Sequence, residues 1–242
     1  GCVKVVAIHQ PSYLPWFGIL DKIARCDLFV VLDSVQYNKR AFQHRTLYSR
    51  AGGAQYLSLS VNAKGHQKGL QIREAILADT GLPAKHLETL RHRYRKSPGW
   101  DLVQRSLAPV LLQPASDLLG LDLATMRVTL ELFGLRPQLV LASELSAYGA
   151  KSELMLNLTR AAGGDVYLSG SGAQAYMDDA LFAAAGMAVE YQKFVHPVFP
   201  QSHAGAFQEG CLALEWLIED PQEAPDKFQE HLRRTGAQPP RC

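Results

Sequence analysis

The chain has 242 residues, 47% hydrophobic and 20% charged, the balance of a globular protein with enough apolar side chains for a sizeable core. A formal net charge of +2 singles out neither nucleic acid nor an anionic membrane as a partner, and no apolar run reaches the roughly 18 residues that span a bilayer. The four cysteines, Cys2, Cys26, Cys211 and Cys242, include no C-x-x-C pair, so neither a disulfide framework nor a zinc site is expected, and a reducing, cytoplasmic compartment without an export signal fits them.

The first element is a β-branched apolar run over residues 3–8, too short for a helix, and residues 28–32 form a second such run. Between them Phe17, Leu20, Ile23 and Ala24 recur at the helical period, which leaves Asp21, Lys22 and Arg25 on the other side of a helix over 17–25. Strands apolar over their whole length belong to sheets covered on both faces, so this unit predicts a parallel α/β arrangement. One or two strands follow within 45–61, broken by the turn at Ala51-Gly-Gly-Ala54, with 56–61 the clearest.

The pattern then turns helical over 82–95, 102–112 and 118–132, punctuated by Ser97-Pro-Gly99 and Gln113-Pro-Ala-Ser116, with Ser116 as N-cap and Gly134 as stop of the third helix. From Gln138 the α/β rhythm returns: strand 138–142, helix 152–162, strand 165–168, helix 173–185 and strand 187–192. Beyond Asp220 the tail reads as a weak helix or a mobile end. The expectation is a single α/β domain over 1–242, a mostly parallel, Rossmann-like sheet covered by helices, with a helical insertion over 82–134.

In open parallel sheets the ligand lies outside the carboxyl ends of the strands. Residues just past those ends are His9, Gln10, Pro11 and Tyr13; Asp33, Gln36, Asn38, Lys39 and Arg40; Ser143 and Glu144; and Ser169, Gly170, Ser171 and Gly172. Their convergence predicts one pocket. His9 suits a general acid/base or a donor to developing negative charge, the alternative being a histidine bonded to backbone at a strand end. Asp33 suits a ribose hydroxyl, a substrate amine or a metal, or else caps the next turn. Lys39, Arg40 and Arg45 suit phosphate or carboxylate, or else guard an exposed strand edge.

The Ser169–Gly172 segment has the shape of an anion cradle, with glycines in a tight turn ahead of a helix, although it matches neither common phosphate-loop pattern. His196 sits in a second cluster of aromatics and prolines, "YQKFVHPVFPQ", for which packing is the competing reading. Basic residues crowd 39–50 and 85–96; either stretch suits phosphate, and a solvated helix face is the alternative for the second. No Ser-His-Asp spacing, nucleophile elbow or H-E-x-x-H pair appears, so no metal or cofactor is named.

Taken together, "IHQPSYLPWFGILDKIARCDLFVVLDSVQYNKRAFQHR", "LASELSAYGAKSELMLNL", "DVYLSGSGAQAYMDD" and "YQKFVHPVFPQ" resemble the WbqC-like protein family over nearly the whole chain. His9, Gln10, Pro11, Asp33, Gln36, Lys39, Arg45, Glu144, Ser169, Gly170 and His196 stand in that family's pattern, whereas "HLETLRHRYRKSPGW" departs from it. The resemblance implies a cytoplasmic protein encoded among genes for surface polysaccharides and other small molecules, often beside sugar aminotransferases. The opening unit also looks like that of adenylyl-transferring enzymes, whose usual second histidine is absent here.

Two functions follow as expectations. The first is a small-molecule transferase or ligase that forms an amide, moving an acyl or aminoacyl group to the amine of an amino sugar or similar metabolite. In it His9 is the acid/base, Asp33 or Glu144 holds the amine, and Lys39, Arg40, Arg45 and the Ser169–Gly172 loop take phosphates. Gln10, Tyr13, Gln36, Asn38 and His196 line the substrate. The second is a non-catalytic protein of such a pathway that binds a nucleotide-sugar or a partner enzyme through 85–96. A phosphate-bearing small molecule is thus the expected partner, and nucleic acid is not.

Overall fold

The computed structural model describes residues 1–62, 69–203 and 205–237. The chain opens with β1 (Val5–His9), α1 (Phe17–Ala24) and β2 (Leu28–Val31). A hairpin of β3 (Arg45–Tyr48) and β4 (Gln55–Ser58) and a two-residue pair of β5 (Val61–Asn62) with β6 (Ile76–Leu77) lead into α2 (Leu82–Tyr94), α3 (Trp100–Leu112) and α4 (Leu118–Leu132). Then come β7 (Gln138–Leu141), α5 (Ser152–Ala161), β8 (Val166–Ser169), α6 (Asp179–Ala184), β9 (Ala188–Tyr191), α7 (Leu214–Glu219) and α8 (Ala224–Arg234).

The expected parallel, helix-covered sheet is present. Its strand order is β7-β2-β1-β8-β9, with every neighbouring pair parallel. Register sets His9 beside Val31, Val31 beside Leu141 and Ser169 beside Tyr191, so the strands end together along one edge. Alternation sorts the side chains: Val5 and Ala7 face the larger core with α1, the three middle helices, α7 and α8, while Val6 and Ile8 face the smaller core with α5 and α6. Chain order runs outward from β1 to β2 and β7, then crosses to β8 and β9. The reversal falls between β1 and β8, the place where such sheets leave a crevice.

The three middle helices lie within a residue or two of their expected bounds, and Gly134, at φ +72, ends the third. Its N-cap is Asp117 rather than Ser116, with the carboxylate accepting from the Gly120 amide at 2.9 Å. Residues 56–61 do not form one strand, because pairing changes partner between Ser58 and Val61. The tail is no loose end, since Phe228 and Leu232 of α8 are buried in the larger core. Cys211 forms an isolated bridge with Leu47. Cys26 and Cys211 are free thiols, whereas Cys2 is disulfide-bonded, a departure from the cysteine expectation; Cys242 lies outside the described residues.

The largest correction concerns α1. Asp21 and Lys22, placed by periodicity on the outward side, are buried at 0% and 4% exposure. Asp21 receives Arg25 at 2.9 and 3.0 Å and the Gln192 amide at 2.7 Å, so its charge is offset on the spot. Lys22 has a different use.

Candidate functional site

At the β1/β8 switch point, His9 closes β1 on the face that carries α1, and Lys22 lies on that helix. Helical side chains lean toward the helix N-terminus, which here points to the carboxyl edge of the sheet. The Lys22 ammonium reaches His9, with Nζ 3.1 Å from Nδ1. A Cβ added at Gly170, just past β8, would lie 3.6 Å from the same Nζ. Residues from β1, α1 and the end of β8 therefore meet in one small volume.

Burial pushes the Lys22 pKa from 10.5 down to about 8, against the opposing pull of Cys26 and Asp21. Burial, and after it the Lys22 charge, pushes His9 from 6.5 down to about 3. At neutral pH the lysine is thus an ammonium and the imidazole is neutral. The ammonium has only N–H groups to offer, so Nδ1 accepts and the ring proton sits on Nε2. Among the described residues this is the one side-chain hydrogen bond of either group, leaving the Nε2–H and two ammonium N–H groups for an oxygen brought to the crevice. The pair can donate to an oxygen that carries negative charge, and a pKa of about 3 makes His9 a poor proton acceptor at neutral pH.

The loop that follows is held from several sides. The amides of Tyr13, Leu14 and Ala213 bond Phe42 O at 3.1 Å, Thr125 Oγ1 at 2.9 Å and Pro15 O at 2.8 Å, and the Thr46 hydroxyl bonds Leu14 O at 2.8 Å. These bonds keep Leu14 at φ +45, a strained value for a branched side chain. Tyr13 corrects the expectation, because its fully buried ring turns inward and its hydroxyl meets His86 Nδ1 at 2.7 Å. Gln10 stays at the edge, where its side-chain oxygen accepts from buried Gln43.

Asp33 arrives at the same edge at the end of β2 but is fully engaged there. One carboxylate oxygen accepts from the Ser143 amide at 2.9 Å and the other from its hydroxyl at 2.5 Å, which ties β2 to the end of β7. Glu144, the next residue, is exposed in a short 3₁₀ turn. Gln36 is exposed and bridges Gln71, while Asn38, Lys39 and Arg40 form an exposed turn in which Asn38 Oδ1 accepts from the Arg40 amide. Arg45 donates from Nη2 to Arg40 O at 2.8 Å and lies over the Tyr56 ring at 4.4 Å, while its Nε is buried without a hydrogen-bond partner among the described residues.

The Ser169–Gly172 segment is not the cradle its glycines suggest. Neither Gly170 nor Gly172 has a positive φ, and only a 3₁₀ turn, Ser171–Ala173, follows; the helix expected from 173 starts at Asp179, too far on to aim its amides at the edge. Ser169 is buried, and Ser171 is exposed. His196 is locked in place, because Nδ1 donates to Pro197 O at 2.8 Å and Nε2 accepts from the Gly210 amide at 3.0 Å amid Trp16, Phe17, Phe194 and Phe207. Both ring nitrogens are used, so it holds the fold rather than a ligand.

Two groups were invisible to the sequence reading. Lys22 looked like a surface residue, and Asp122 sat in an apolar helix; its carboxyl is fully buried, has no hydrogen-bond partner among the described residues, and is pushed well above the usual range by burial and by Asp117. The basic stretch 85–96 is partly consumed, with His86 on Tyr13, Arg91 on Glu88, and Arg93 on Ser49 O at 2.8 Å. Among the described residues no cluster of three or more His, Cys, Asp and Glu is placed to hold a metal ion, and no helix is long and apolar enough to cross a membrane.

A family model described as the WbqC-like protein family matches residues 10–227. The chain is also 28% identical over 227 residues to a Mycobacterium tuberculosis protein described as "Uncharacterized protein Rv1507c", a match that covers 93% of this chain and 97% of that one. No solved structure matches.

Proposed function

The chain belongs to the WbqC-like protein family, and on that premise we propose that it is a small-molecule transferase or ligase of a biosynthetic pathway. It forms an amide by moving an acyl or aminoacyl group to the amine of an amino sugar or similar metabolite. The observation that carries this reading is the buried Lys22 ammonium set against neutral His9 at the β1/β8 crevice. When an amine attacks an acyl carbonyl, negative charge grows on the carbonyl oxygen, and the His9 Nε2–H with the Lys22 N–H groups supplies donors for it until the carbonyl re-forms, the bond from its carbon to the activated donor's leaving group breaks and that group departs with the electron pair. Such donors act most strongly where water is excluded, which the burial of Lys22 achieves.

The amine has to attack as its free base. Glu144, exposed past β7, is suited to hold that amine and take its proton, while Asp33 positions the β2/β7 end through Ser143. Lys39 and Arg40, exposed on the loop after β2, suit the phosphates of an activated donor. A cytoplasmic setting belongs to the same reading; it has support in the free thiols of Cys26 and Cys211 and none in disulfide-bonded Cys2.

The test is a thermal-shift screen of acyl-CoA thioesters, aminoacyl donors, nucleotides and nucleotide-sugars against the wild type and His9→Gln. A ligand of the native state raises stability with the logarithm of its concentration over Kd. Expected is a ligand whose shift shrinks sharply in His9→Gln while the unliganded melting temperature stays close to wild type. An undiminished shift in the variant, together with undiminished turnover of that ligand, sinks the reading.

A further inference from the structure

We infer that this protein has a second small-molecule site, for a phosphomonoester, between the end of β3 and helix α2. A cavity of about 510 Å³ lies there, within the range of ligand pockets, lined by Tyr48, Arg50, Ala51, Thr89, His92 and Arg93 together with Glu88. It brings together the ends of two basic stretches that lie far apart in the chain, 39–50 and 85–96. It shares no lining residue with the crevice at His9.

The state of Arg93 points to an anion. Its Nε donates to Ser49 O at 2.8 Å, Nη1 donates to Ser202 Oγ at 3.0 Å, and the guanidinium lies 4.6 Å from the Tyr94 ring centroid. These contacts fix the plane of the group. Nη2, by contrast, is buried with no hydrogen-bond partner among the described residues. A buried cationic donor without a partner is unfavourable, and an oxyanion is its natural complement.

Arg50 stands across the cavity. Its backbone is clamped by Gln208, which accepts from the amide at 3.2 Å and donates to the carbonyl at 2.8 Å, while its exposed guanidinium makes no hydrogen bond among the described residues. His92, exposed on the same helix as Arg93, adds a third nitrogen group. The nearby carboxylates are already occupied: Glu88 pairs with Arg91, and buried Glu215 receives the Ser49 amide at 3.0 Å, the Tyr94 hydroxyl and the Gln201 amide at 2.7 Å. Two arginines therefore line the cavity with their carboxylate neighbours spent. Tyr48, Ala51 and Thr89 supply uncharged lining beside the cationic groups, which favours a phosphate carried on a small organic body over the bare ion.

The experiment is calorimetric titration of the full chain with inorganic phosphate, pyrophosphate and adenosine monophosphate, at low and at physiological salt. Adenosine monophosphate is expected to bind more tightly than inorganic phosphate. Arg50→Ala, whose exposed side chain leaves folding intact, is expected to weaken it about tenfold, the loss typical of a charged hydrogen bond of roughly 1.4 kcal/mol. Arg93→Lys, which keeps charge but loses the fork, is expected to do the same. Arg95→Ala, in the same basic stretch but outside the cavity, should bind as wild type. Equal losses in Arg95→Ala and Arg50→Ala would reveal diffuse charge attraction only and overturn the assignment. So would wild-type binding by Arg50→Ala, or no binding of any of the three anions.

Discussion

The carboxyl ends of β1 and β2 are neighbours in the sheet, one strand apart, and each delivers an ionisable side chain to the same edge. At β2, Asp33 gives both oxygens to Ser143 and joins two strands. At β1, His9 uses one ring nitrogen on a buried lysine that keeps further donors in hand. Position in the fold is equivalent, yet bonding capacity is not. A polar group at the ligand edge is available for chemistry only to the extent that the fold leaves its hydrogen bonds unspent, and on that measure His9 and Lys22 outrank Asp33 and His196.

The sharpest way to break this contrast is Lys22→Met. The drop of its pKa from 10.5 to about 8 costs native stability on the order of 3 kcal/mol at neutral pH. With a folded pKa below the unfolded one, the lysine's contribution is whole only above 10.5 and falls away as pH drops toward 8. The variant should therefore melt higher than the wild type at pH 7, by about 2 kcal/mol once the lost His9 hydrogen bond is deducted, while losing ligand-induced stabilisation. Wild-type ligand affinity should likewise decline above about pH 8 and show no inflection at 6.5, since His9 stays neutral down to about 3. A clear transition at 6.5 in the affinity profile would restore His9 as a titrating acid/base.

Asp33→Ala probes the other side. It strands the Ser143 amide and should lower stability by roughly 1–3 kcal/mol in urea denaturation, while ligand affinity stays near wild type. Affinity falling more than stability would show that the two strand ends act as one site. A smaller, pH-dependent effect is expected at Asp122, whose carboxyl titrates above its ordinary 3.8. A raised folded pKa gives stability that is whole below the unfolded value and is lost as pH rises. Asp122→Asn should accordingly melt above wild type at pH 7, with the gain shrinking toward pH 4. A gain that is the same at both pH values would mean that burial does not hold the carboxyl above its ordinary range.

Much of the architecture was legible because it rests on short-range pattern. Apolar runs of strand length, the helical period over 82–132 and the Gly134 stop report local burial and backbone preference directly. The carboxyl edge could be read as well, since parallel strands must end on one side. Three things were not legible. The fate of each side chain at that edge depends on partners distant in sequence, such as Ser143 for Asp33 and Gly210 for His196. The glycines after β8 suggest a cradle, yet the chain passes through a 3₁₀ turn and a mostly exposed stretch before its helix starts at Asp179.

The burial of Lys22 is the clearest case. Periodicity assigns a charged residue to the wet side of a helix because an isolated helix has only one dry face. α1 is instead covered beyond that face, by the sheet, by Gln192 and by the aromatic cluster of α7 and α8, so Asp21 and Lys22 are enclosed as well. The sequence by itself determined the five strands of the parallel sheet, the three middle helices and the edge at which those strands end together, because these follow from local apolar pattern and from the geometry of parallel sheets. Which polar groups at that edge keep unspent donors was decided only by the tertiary structure, because hydrogen-bond partnership and desolvation are set by residues that meet across the whole chain.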